Sequence, residues 1–62
     1  MQRYHVYEIP KGGHVPRHVS EHHTIKSARN AANALGTRTD IHVQRIEVRG
    51  LENRLVHTVY PT

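Results

Sequence analysis

The chain has 62 residues, no cysteine, and a formal net charge of +4 at pH 7 from nine Lys and Arg against five Asp and Glu. This length allows one domain with one small core that buries only about 60% of its unfolded surface, without a disulfide framework to compensate. A large active site has little room, and no apolar run approaches the ~20 residues of a membrane span.

Seven of the nine cations are Arg, which forks onto carboxylates and phosphates more readily than Lys. There are also seven His, a residue whose reference pKa of ~6.5 lets mild acid add charge. The predicted isoelectric point is near 10.1. Such a balance points to nucleic acid or an acidic protein surface as partner, without deciding between them. The N-terminus enters strand-like residues directly, with no basic-then-apolar signal region, so a cytoplasmic location is expected and no membrane partner.

Residues 3–9 alternate with period 2 and are rich in aromatic and β-branched types, which predicts a strand. Tyr4, Val6 and Glu8 share one of its faces, and His5, Tyr7 and Ile9 the other. Pro10 ends it, and Lys11-Gly12-Gly13 is turn chemistry. Residues 10–23 hold Pro16 and four His but little apolar content, and read as a His-rich loop with at most a helical turn near Ser20. A helix is expected over 24–35, with Thr24 as N-cap and Ser20 as its rival. Ile25, Ala28, Ala32 and Leu35 form its apolar stripe, with Ala31 at the edge, and Gly36 stands where a left-handed C′ residue would.

A second strand is expected over 40–48. Its apolar parity changes between Ile41 and Val43 on one side and Ile46 and Val48 on the other. Either a β-bulge near Gln44-Arg45 restores one apolar face, or both faces are partly covered. A third strand over 54–60 follows the turn-prone Arg49–Asn53 segment and closes a hairpin. The expected fold is therefore α+β: a β-α-β-β single domain over 1–62, with a three-stranded antiparallel sheet in order 1-3-2 and one helix on one face. The uncovered face would show aromatic, His and β-branched side chains. That face or a bare edge would serve docking or a homodimer.

His14, His18 and His22 are spaced i, i+4, i+8, which on a helix would gather three imidazoles for a transition metal. Pro16 and the preceding glycines oppose such a helix, so these remain weak metal candidates, a solvated loop is the simpler reading, and no cofactor is expected. His5, His42 and His57 on strands would suit acid–base chemistry only in a pocket that so small a fold hardly offers. Pro-Lys-Gly-Gly-His lacks P-loop spacing and reads as a turn. The helix surface carries more: Lys26, Arg29, Asn30 and Asn33 form a continuous sector able to meet phosphates or an acidic protein groove, although a solvated helix face would look the same. Arg45 and Arg49 lie two strand positions from Glu47, which would partly neutralise them, and Tyr4 or Tyr7 would offer a stacking ring if on the open sheet face.

The order of RYHVYEI, a loop, a short helix with Ala28-Arg29, and the hairpin VQRIEV…RLVHTVY resembles small phage-encoded anti-CRISPR proteins that inhibit type I surveillance complexes. The resemblance covers most of the chain and lies in pattern and size. The His-rich segment has no counterpart in it. It implies a viral, non-enzymatic inhibitor in the host cytoplasm that binds a host protein or ribonucleoprotein complex stoichiometrically and blocks DNA recognition. By position it implies Arg29 as a contact, with Lys26 beside it. The alternative is a stand-alone DNA- or RNA-binding domain using the same cations, so direct nucleic-acid contact stays open.

Overall fold

The computed structural model describes residues 3–13, 15–38 and 42–61. Along the chain come β1 (Tyr4–Pro10), β2 (Arg17–His22), α1 (Ile25–Gly36), β3 (Val43–Arg49) and β4 (Leu55–Val59), with tight turns at Lys11–Gly13 and Leu51–Asn53. The strands form one antiparallel sheet in the order β2-β1-β3-β4, with α1 across one face. This is a small α+β domain, but its sheet has four strands rather than the expected three.

The additional strand is β2, inside the stretch expected to be a loop. Gly12 and Gly13 take positive φ (81° and 76°) and turn the chain back, and Arg17–His22 then pairs along β1. That reversal also corrects the strand order. Without β2, a strand entering after the helix would run parallel to β1, so only the terminal strand could pair antiparallel with it. With β2 present the helix delivers β3 antiparallel to β1, and β1 is flanked by β2 and β3 while β4 takes the outer edge.

Three register shifts shape the sheet. In the β1–β3 ladder, Ile9 faces Arg45 and Pro10 faces Val43, which leaves Gln44 as the bulged residue. This is the bulge expected near Gln44-Arg45, and it returns Val43 to the face of Ile46 and Val48. Ile41 lies outside the described residues. A second bulge leaves Val19 extra on β2, and a third leaves Val56 extra on β4.

The core consists of Val6, Ile46 and Val48 from the two central strands and Ala28 and Ala32 from the helix, all fully buried. Burying each larger side chain contributes about 1.5–3 kcal/mol. Thr24 caps α1, its hydroxyl accepting from the Ser27 N–H at 3.1 Å. Gly36 departs from expectation: it is the last helical residue, and Thr37 after it is right-handed at φ −89°. A Cβ at Gly36 would meet Val59 Cγ1 at 2.8 Å, so the position is set by close helix–sheet approach rather than by a left-handed cap. Ile25, expected in the core stripe, is instead exposed.

Candidate functional site

The residues expected to bind fall on two opposite sides of the molecule. Lys26, Arg29, Asn30 and Asn33 are all exposed on the outer side of α1. With Ile25 they line a hollow of about 400 Å³. The helix contains no acidic residue, and among the described residues neither Lys26 nor Arg29 pairs with a carboxylate. Lys26 occupies the first turn, where the positive end of the helix dipole disfavours a cation by about 0.3–1 kcal/mol.

Arg45, Arg49 and Tyr7 lie on the sheet face away from the helix. Strand pairing sets Tyr7 opposite Glu47, His5 opposite Arg49 and Ile9 opposite Arg45. Glu47 is almost completely buried, at 2% exposure, although it belongs to this otherwise open face. The two guanidiniums account for that burial. Arg45 Nε donates to Glu47 Oε2 at 2.6 Å, and Arg49 Nη2 donates to Oε1 at 2.6 Å. Arg45 Nη1 also reaches Gln44, and Arg49 Nη1 reaches the Asn53 carbonyl, both at 2.9 Å. Burial alone would raise the Glu47 carboxyl, but the hydrogen bonds and positive charges of Arg45 and Arg49 outweigh it and hold the group below its ordinary value. The neutralisation expected from the i, i+2 spacing is thus realised as a fixed Arg–Glu–Arg ladder.

The bulge at Val19 decides the histidines. His18 pairs with Tyr7 on the open face, whereas Ser20 and His22 pair with Val6 and Tyr4 on the helix side. His18 and His22 therefore do not converge as weak metal candidates would need, and His14 is outside the described residues. No group of three or more metal-ligating side chains forms among the described residues. His18 instead meets His5, Nε2 to Nδ1 at 3.1 Å, while His22 bridges Ser20 and Ser27 at 2.9 Å each. Nor do His5, His42 and His57 assemble: His5 is on the open face, His57 is on the helix side of β4 opposite Val48, and His42 is in the turn before β3.

The open face shows the expected aromatic, His and β-branched side chains together with arginines. It carries rings and guanidiniums, with Ile9 and Thr58 as its half-buried β-branched members. Of the large apolar side chains exposed among the described residues, Leu51, Leu55, Val56 and Tyr60 gather toward the β4 edge, while Val15, Val19 and Ile25 lie elsewhere. No helix among the described residues is long and apolar enough to cross a membrane. Comparison of the chain with protein-family models, curated proteins and solved structures finds no match.

Proposed function

We propose that this chain is a non-enzymatic binding protein, encoded by a phage or mobile element. It inhibits a host nucleic-acid-handling complex in the cytoplasm by docking the outer face of α1 stoichiometrically onto an anionic surface. One observation carries this reading: among the described residues Lys26 and Arg29 are exposed and without a carboxylate partner, while Arg3 beside the sheet and Arg17, Arg45 and Arg49 on it are each within 4 Å of a glutamate oxygen. Free cations beside two amides supply donors to an incoming acceptor without first breaking an internal ion pair. Lys26 also stands where it opposes the helix dipole, a cost that a purely structural helix has no reason to bear.

The non-enzymatic part rests on the same geometry. The histidines that meet, His5 and His18, do so on an open sheet surface beside Glu21 rather than in a closed cleft. The test is capture from bacterial lysate, in nuclease-treated and untreated halves, on wild-type protein and on a folded Lys26→Glu/Arg29→Glu variant. A defined complex that survives nuclease and is lost from the variant supports the reading. Recovery of nucleic acid alone, with every protein lost on treatment, replaces it with direct nucleic-acid binding.

A further inference from the structure

The sheet face opposite α1 carries a second arrangement that helix docking does not use. Six planar side chains cluster there: Arg3, His5 and Tyr7 on or beside β1, His18 on β2, and Arg45 and Arg49 on β3. The three rings lie together, with centroids 5.2 Å apart for His5–His18, 5.3 Å for Tyr7–His18 and 6.3 Å for His5–Tyr7. Tyr7 stands between two hollows of about 330 and 390 Å³, both of which it lines together with Asn53. Arg45, Glu47 and Arg49 border the first, and Arg3, His5 and Glu52 border the second. Each is as large as the smaller ligand sites of proteins, about 300 Å³.

The state of the arginines selects the occupant. A face built to hold carboxylates would keep its guanidinium donors free. Here Glu47 takes donors from both Arg45 and Arg49, and the Asn53 carbonyl takes another from Arg49. The two arginine side chains remain about 30% exposed, held in place by a buried carboxylate on the same face as the rings. Planar cations and aromatic rings at fixed positions are surfaces on which unpaired bases stack. Arg3, Arg45 and Arg49 face Glu21 and Glu47, with Glu52 at the rim, so the carboxylates balance the guanidiniums and stacking rather than net charge would carry the contact. Glu52 and Asn53, at the rim, hold left-handed backbone (φ 58° and 60°), a conformation costly for non-glycine residues that directs the Asn53 carbonyl onto Arg49.

We propose that the uncovered sheet face is a stacking platform for a single-stranded polynucleotide. Tyr7 separates two base positions, and the Arg45 and Arg49 planes flank it. A duplex, whose bases are already stacked and paired, has nothing to offer these planes. The surface is distinct from the α1 sector, so the two can be tested apart.

The experiment is fluorescence anisotropy with labelled RNA and DNA homopolymers of about a dozen nucleotides, at about 50 mM salt, where counterion release still favours binding. Wild type should bind single strands more tightly than the matching duplex. Tyr7→Leu, which keeps the strand packing but removes the ring, should lose roughly 5- to 150-fold, the worth of one stacked base. Tyr7→Phe should restore affinity, and Lys26→Glu/Arg29→Glu should retain most of it. A preference for RNA or for DNA identifies the strand, and either supports the platform. Equal affinity of wild type and folded Tyr7→Leu, equal affinity for duplex and single strand, or no strand binding by wild type would overturn the proposal. Equal capture of a complex from lysate by wild type and Lys26→Glu/Arg29→Glu, with strand binding intact, would count against the helix reading alone.

Discussion

The Lys26–Arg29 pair on the outer face of α1 and the Arg45–Arg49 pair on the open face of the sheet are in opposite physical states. Lys26 and Arg29 are exposed and, among the described residues, without carboxylate partners, and Lys26 is mildly unfavourable to its own helix. Arg45 and Arg49 are half-buried and hydrogen-bonded to Glu47 at 2.6 Å each. Charge alone would rank the two pairs equally. Partner geometry separates a pair free to meet an outside acceptor from a pair whose charge is spent internally and whose planes remain.

The comparison predicts that sheet-side substitutions move stability and helix-side substitutions move binding. The largest stability effect should come from Glu47→Gln, which leaves two half-buried guanidiniums short of their acceptor. Removing one partner of a fully buried pair costs 3–5 kcal/mol; with the arginine side chains about 30% exposed, about 2–4 kcal/mol is expected in urea unfolding. The same ladder sets an acid limit. Because the folded Glu47 carboxyl sits below its ordinary value of 4.5, its contribution is complete above that value and is lost as pH falls through the folded one. Wild type should therefore lose stability in acid below about pH 4.5, and Glu47→Gln should lack that part of the slope.

Between the two faces lies the helix–sheet contact, where Gly36→Ala would drive a Cβ to 2.8 Å from the stiff Val59 side chain. Overpacking should exceed the gain in helix propensity, for a net loss of about 1–2 kcal/mol by thermal unfolding. A smaller change of opposite sign is expected at His57, whose buried Nε2 has no hydrogen-bond partner among the described residues. His57→Leu should stabilise by about 1 kcal/mol without altering either surface. The smallest stability effect belongs to Lys26→Glu/Arg29→Glu. Reversing charge near the helix N-terminus should leave unfolding unchanged or raise stability by up to about 1 kcal/mol. Partner affinity should nevertheless fall by at least about 100-fold, the worth of two charged hydrogen bonds.

The parts of this structure that could be read from residue order are those with strong local patterns. Period-2 alternation at Tyr4–Ile9, the Thr24 cap with its Ala stripe, and the parity change for which a bulge near Gln44-Arg45 is one of two explanations all have local causes. β2 left no such trace. As an edge strand of RHVSEH with a bulge at Val19 it buries little, so its hydrogen-bonded partner β1 makes it a strand rather than its own hydrophobicity. Missing it reversed the parity of strand direction, and with it the sheet order. The helix sector was legible because four side chains at helical spacing share a face whatever the topology. The Arg45–Glu47–Arg49 ladder was legible as a spacing. Its burial, and its meeting with Tyr7, His5 and His18, depended on β1 lying between β2 and β3.

The most direct test of the account is capture from nuclease-treated bacterial lysate on immobilised wild type beside immobilised, folded Lys26→Glu/Arg29→Glu. The account predicts a defined protein complex held by wild type and absent from the variant. The same complex held equally by both would contradict it, since the outer face of α1 would then take no part in binding.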